Sequence, residues 1–153
     1  MKNMTTIRIT KEFRFEAAHA LKGYDGVCSN IHGHSYELSV TLIGRPIDDK
    51  ASPKKGMVVD FSDLKRLVKT AVIDHFDHAL ILPADFDNLG LSSIGEPFRN
   101  ILRVSYQPTS ENMLIDFASR IKELLPDGVI LFSMKLRETA TSYAEWFAED
   151  NEG

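Results

Sequence analysis

The sequence predicts an α+β protein in which a four-stranded antiparallel sheet carries two helices on one face. Three observations predict it. Apolar residues recur at every second position in long stretches near both ends of the chain, and two stretches between them carry apolar residues at helical spacing. The order is strand, strand, helix, helix, strand, with one further short strand between the helices. Chain neighbours in such an order usually lie side by side, so the long strands pair antiparallel and both helices cover their apolar face.

From Thr5 to Ala17 the alternation of Ile7, Ile9, Phe13 and Phe15 reads as the first strand. Leu21 to Asn30 holds Gly23, Asp25, Gly26 and Ser29, which is loop chemistry. Ser35 to Gly44 is the second strand, with Tyr36, Leu38, Val40 and Leu42 on one face and Glu37, Ser39 and Thr41 on the other. Arg45 to Gly56 contains two prolines and three lysines and reads as a solvated turn. Asp60 is suited to cap a helix whose apolar face is Phe61, Leu64, Leu67, Val68, Ala71 and Val72, ending in Asp74-His75-Phe76-Asp77-His78.

Pro83 to Gln107 is broken by Gly90, Gly95 and Pro97, with a short strand at Ile101 to Tyr106. Thr109 caps the second helix. Its face is Leu114, Phe117, Ala118, Ile121, Leu124 and Leu125, and Pro126-Asp127-Gly128 stops it. In the last strand, Val129 to Glu138, the residues Ile130, Phe132, Met134 and Leu136 share a parity that Glu138 continues. The alternation thus aims a carboxylate at the buried side, where it needs a partner, and a ligand is one such partner. Ile43, Val129 and Leu131 put apolar surface on the opposite face, which suggests oligomerisation. The acidic tail from Ala144 to Gly153 is expected to fray except where Trp146 and Phe147 pin it.

Length and composition bound the function. With 153 residues and no repeat or linker, residues 1–153 form one domain. No apolar run reaches the length of a bilayer span, and Met1 to Ile9 lack the apolar region of a signal peptide. A single cysteine excludes an intramolecular disulfide, so a cytoplasmic location without membrane contact is expected. A formal net charge of −4 argues against a nucleic-acid surface.

The chemistry centres on three histidines. His19 continues the parity of Phe13, Phe15 and Ala17, while His32 and His34 share that of Tyr36 and Leu38. In paired strands the three imidazoles converge beside an apolar wall. A lone histidine there is ordinarily a hydrogen-bonded core residue, but three on matched parity form a tridentate site of the kind that binds zinc and leaves a position for water or substrate. Cys28 lies between them in sequence. Its spacing is compatible with a reactive thiol or with a fourth ligand that would close a structural site.

Five motifs then appear in order: Phe15-Glu16-Ala17-Ala18-His19, Cys28-Ser29-Asn30-Ile31-His32-Gly33-His34, Asp77-His78, Pro108-Thr109-Ser110-Glu111-Asn112 and Leu136-Arg137-Glu138-Thr139. Together they resemble the family of 6-pyruvoyltetrahydropterin and 6-carboxytetrahydropterin synthases, and the spacing from Cys28 to His32 looks more like the bacterial carboxy type of the queuosine and 7-deazaguanine route. The resemblance implies a tunnelling fold, a homohexamer built as a dimer of trimers with active sites at subunit interfaces, and a pterin triphosphate substrate. It implies one Zn2+ per subunit on His19, His32 and His34, with Cys28 as general base and Asp77-His78 as a second proton-transfer element. It makes Glu138 the anchor of the pterin ring as well as part of the catalytic set, and Thr109, Ser110 and Glu111 pocket residues. Asp74-His75 is the alternative to Asp77-His78, His75 being otherwise a cation at a helix end. Two departures from the family are the long Pro83–Gln107 segment and the absence of an asparagine soon after Asp77-His78, where Ile81-Leu82-Pro83 occurs instead.

Two other classes compete on the residues alone. A zinc hydrolase would use the same histidines to activate water, but would leave Cys28 and Glu138 without duties. A non-catalytic pterin-binding module would use Cys28 as the fourth ligand of a structural zinc.

Overall fold

The computed structural model of the chain describes residues 4–86, 90 and 94–152. Residues 87–89 and 91–93, within the Pro83–Gln107 segment, lie outside the described residues, as do 1–3 and 153. Six strands form one sheet: β1 (Ile7–His19), β2 (His32–Gly44), β3 (Ala79–Pro83), β4 (Ile101–Val104), β5 (Val129–Thr139) and β6 (Ser142–Phe147), in the spatial order β4-β3-β1-β2-β5-β6. The four antiparallel strands of the α+β reading become six, and the sheet is mixed. The pairs β1–β2, β2–β5 and β5–β6 are antiparallel, whereas β3 lies parallel to both β1 and β4.

Both extra strands escaped the sequence for a physical reason. β3 reads Ala-Leu-Ile-Leu-Pro, buried at four of its five positions, so it has no alternation to find. β6 was expected to be a fraying tail. Its turn from β5 brings Trp146 opposite Met134 and Ala144 opposite Leu136, so Trp146 is buried while Glu145 remains exposed.

The helices cover one face of this sheet. Helix α1 (Phe61–Val68) starts where the Asp60 carboxylate accepts the Ser62 amide at 2.8 Å, and it continues through π-helical backbone at Lys69–Ile73 into a last turn, Asp74–Phe76. It buries Leu64, Val68, Ala71, Val72 and Phe76, while Phe61 stays half exposed. Helix α2 (Ser110–Lys122) begins at Thr109, whose hydroxyl accepts the Asn112 amide, and buries Met113, Leu114, Phe117, Ala118 and Ile121. Among the described residues no helix is long and apolar enough to cross a membrane.

An aromatic node ties the layers together. Phe15 and Tyr36, opposite each other on β1 and β2, stack at 4.9 Å, and Phe117 of α2 meets Phe15 edge-on at 6.2 Å and Phe76 of the α1 extension at 4.8 Å. Phe117→Ala would remove the shared ring from a fully buried position. The expected cost is roughly 3–5 kcal/mol of unfolding free energy, read from denaturant midpoints at constant slope.

β5 is bent by a bulge. Thr41 pairs with Ser133 but Leu42 pairs with Leu131, so Phe132 is an extra residue without a partner on β2. The bulge inverts the expected parity of the strand's first half: Leu131 is in the core and Ile130 is exposed beside Ile43. Beyond it Met134 and Leu136 point into the core, as expected, and Glu138 follows them.

Candidate metal centre and active site

His19 ends β1 and His32 begins β2, directly opposite each other, and His34 lies across from Ala17 on the same face. Long antiparallel pairing fixes this register from Ile7–Gly44 to the His19–His32 pair, so the histidine positions are set by the sheet rather than by a loop. The nearest ring nitrogens of all three lie within 4.8 Å of one another, and the ring centroids are 4.6–5.1 Å apart.

Their outer nitrogens determine which atoms can bind a metal. His19 Nδ1 donates to the Pro108 carbonyl at 2.7 Å and His32 Nδ1 donates to the Asn30 carbonyl at 2.8 Å. Carbonyls only accept, so in the neutral rings the protons lie on Nδ1 and the Nε2 lone pairs are free. His19 Nε2 and His32 Nε2 then face each other at 3.0 Å, and His34 Nε2 is buried without a hydrogen bond. Converging lone pairs of this kind repel unless a cation lies among them, and neutral imidazole nitrogens suit a divalent transition metal. Burial, the largest influence on each, pushes the pKa of both His19 and His34 below the ordinary histidine value, which favours the neutral imidazole that a metal binds.

The Pro108 carbonyl immediately precedes the cap of α2, so the Pro108–Asn112 motif supports the cluster through its backbone. Thr109 serves as the helix cap. Ser110 is buried with its hydroxyl unpartnered, and Glu111 is exposed in the first turn.

Cys28 sits in a one-turn helix, Val27–Ser29, within the β1–β2 connection, and is partly buried. Its carbonyl accepts the Leu21 amide at 3.2 Å, which ties its turn to the residue two beyond His19. Among the described residues, the tight group of possible ligand atoms comprises the three histidines and does not include Cys28. The thiol is nevertheless near enough to act electrostatically on the Tyr36 hydroxyl, whose pKa is raised by burial first, by Glu138 second and by Cys28 last.

Glu138 lies within β5 and is largely buried, its side chain 27% exposed. One carboxylate oxygen is 3.5 Å from His19 Nε2 and 3.4 Å from His34 Nε2, and it accepts the Tyr36 hydroxyl at 3.4 Å. The carboxylate therefore adds negative charge beside the nitrogen cluster, which favours a cation there.

Asp77 and His78 form their own pair, with Asp77 Oδ1 3.0 Å from His78 Nδ1. The Glu16 amide donates to the same Asp77 oxygen at 2.9 Å, and the His78 amide donates to the Glu16 carbonyl at 2.6 Å. His78 has φ 59°, a left-handed conformation that strains a side-chain-bearing residue and is concentrated at functional positions. Its carbonyl is held by Asn100 Nδ2 at 2.9 Å, a residue that no local sequence signal marks. The His78 ring is exposed at the rim of a cavity of about 430 Å3 shared with Glu16, Ser35 and Asn100. Among the described residues, neither member hydrogen-bonds to Cys28 or to the three histidines. In the alternative pair Asp74 is engaged by Lys69, and His75 is exposed.

Similarity to known proteins agrees with this assembly. Residues 8–149 match the family model described as 6-pyruvoyl tetrahydropterin synthase. A 6-carboxy-5,6,7,8-tetrahydropterin synthase of Haemophilus influenzae is 36% identical over 149 residues, spanning 91% of this chain and 97% of that protein. One of Synechocystis is 35% identical, spanning 92% of each chain. The structure of the 6-pyruvoyl tetrahydropterin synthase of Caenorhabditis elegans superposes with a TM-score of 0.67 at 25% identity, covering 97% of this chain and 99% of that one. With the matched region running from the start of β1 to the end of β6, the chain belongs to the 6-pyruvoyl tetrahydropterin synthase family.

Proposed function

We propose that the protein is a zinc-dependent lyase that converts 7,8-dihydroneopterin triphosphate and water into 6-carboxy-5,6,7,8-tetrahydropterin, acetaldehyde and triphosphate, in the cytoplasmic route to queuosine and other 7-deazaguanines. The observation that carries the reading is the meeting of three bare histidine nitrogens with a partly buried carboxylate at one end of the sheet, beside the Cys28 turn. The names of the relatives at 35–36% identity favour the carboxy type.

His19, His32 and His34 would hold one Zn2+ per subunit, which when bound supplies Lewis-acid polarisation of the oxygens on the substrate side chain. Cys28 is the general base, removing side-chain protons. A cation among the histidines favours its thiolate. Glu138 accepts hydrogen bonds from the amino and imino groups of the pterin ring and joins Cys28 in proton handling. Thr109, Ser110 and Glu111 line the same pocket, and the unpartnered Ser110 hydroxyl is available to a ligand.

Asp77-His78 is the second proton-transfer element, the carboxylate orienting the ring. Its exposed imidazole has no bond to the cluster of its own chain, which supports a site completed by a neighbouring subunit of a homohexamer. Among the described residues β4 and β6 are the edge strands of the sheet, where a neighbour's strand would add.

The test is incubation of the zinc-loaded protein with 7,8-dihydroneopterin triphosphate and mass spectrometry of the products. Acetaldehyde with a 6-carboxy pterin is the expected outcome. A three-carbon side chain retained on the ring would instead assign the 6-pyruvoyl activity, and absence of turnover by the metal-loaded oligomer would favour a pterin-binding module.

A further inference from the structure

Tyr36 is the one polar side chain of the strand-face series Tyr36, Leu38, Val40 and Leu42, and it is fully buried. A phenylalanine would fill the same volume. Burying the hydroxyl therefore costs free energy unless it has a partner, and its hydrogen-bond partner is Glu138.

The ring leaves that hydroxyl little freedom. Phe15 stacks on Tyr36 with an interplanar angle of 12°, while the His34 and His19 rings meet it edge-to-face at 5.4 and 6.3 Å. A carboxylate oxygen only accepts, and a phenol carries its proton near neutral pH, so the Tyr36 hydroxyl is the donor.

Glu138, by contrast, is not aimed by its own strand. The β2–β5 pairing reaches Glu37–Arg137 and goes no further. On the other side, Arg137 pairs with Tyr143 and Thr139 with Ser142, so Glu138 is the extra residue of a second bulge. Bulges re-aim side chains, and the bulged residue has no ladder partner to fix its direction.

We infer that Tyr36 is a positioning residue: its hydroxyl fixes the bulged Glu138 so that the carboxylate lies against His19 and His34. The inference rests on the proposed lyase reading for its kinetic consequence but not for its structural one. With the hydroxyl gone, the carboxylate is free to swing away from the histidines, and the ring, the core and the metal ligands are left as they were.

Tyr36→Phe tests this in two ways. In crystal structures of the metal-loaded wild-type and variant proteins, Glu138 should lie beside His19 and His34 in the first and lose that position in the second. In turnover with 7,8-dihydroneopterin triphosphate, kcat/KM should fall about ten- to a hundredfold, with KM raised because Glu138 also anchors the pterin ring, at full metal content and an unfolding midpoint close to that of the wild type. Tyr36→Phe combined with Glu138→Gln should be no slower than Glu138→Gln alone, because the hydroxyl acts through the carboxylate. Glu138 unmoved in the variant structure would overturn the inference, as would an unchanged kcat/KM or two losses that simply multiply. A wild-type protein that fails to turn over would count against the lyase reading, and the crystallographic comparison would still decide the role of Tyr36.

Discussion

His34→Ala is expected to strip the metal from the protein and abolish turnover while leaving the chain folded. The His34 nitrogen is buried and has no hydrogen bond to a protein group, so it has no structural duty that a folded chain would miss. Removing it leaves two imidazoles, and a two-donor site does not hold a divalent ion against dialysis as a three-donor site does. The backbone pairing with Ala17 persists with an alanine at this position, and Tyr36 loses one edge-to-face ring contact but keeps its stack on Phe15. The lost activity should amount to about three orders of magnitude or more, since the proposed lyase chemistry draws on a cation held by the three histidines. Atomic absorption on dialysed protein, alongside a thermal melt, measures both halves of the expectation. Stoichiometric metal retained by a folded His34→Ala protein would overturn the three-histidine site.

His19→Ala is a less clean experiment. His19 is almost wholly buried, and its Nδ1 anchors the Pro108 carbonyl that leads into α2. Its removal would therefore disturb the helix start as well as the metal, and only His34 separates the two consequences.

Much of this site was legible in the sequence because it is built on a long regular hairpin. Period-two alternation from Phe13 through His19 and from His32 through Leu42 is enough to put three imidazoles on one face, and the observed register pairs His19 with His32 as that argument requires. The helices were legible for the same reason, since their apolar spacing and caps at Asp60 and Thr109 are local features. What the sequence did not reveal depends on contacts between distant segments. Strand β3 has no alternation, and β6 is disguised by acidic residues until Trp146 finds Met134. Glu138 reaches the cluster, as its parity suggested, but two bulges in β5 intervene, and without the first the parity of Ile130 and Phe132 would have put the wrong residues in the core. Asn100 on His78, and the Tyr36 hydroxyl on Glu138, are pairings across 22 and 102 residues that no motif or period encodes.

Cys28→Ala separates the lyase from a closed structural metal site. If the thiol were a fourth ligand, its loss would reduce metal content and stability together. The structure favours the other outcome: the three histidine nitrogens form a close set without the sulfur, two of them already oriented by backbone carbonyls. Metal content should therefore stay at the wild-type level. The one-turn helix around Cys28 is held by main-chain hydrogen bonds from Leu21, Ser29 and Asn30, all of which alanine preserves, so the unfolding midpoint should also hold. Turnover should not, because general-base catalysis by a positioned side chain is worth about two to four orders of magnitude. Cys28→Ser sharpens the test, since a hydroxyl is too weak an acid to form its anion near neutral pH yet can still hydrogen-bond. A serine variant that remained as slow as the alanine variant, with metal bound, would identify proton abstraction by the thiolate as the duty of Cys28. Metal lost from both variants would make Cys28 a ligand and give the binding-module reading the stronger case.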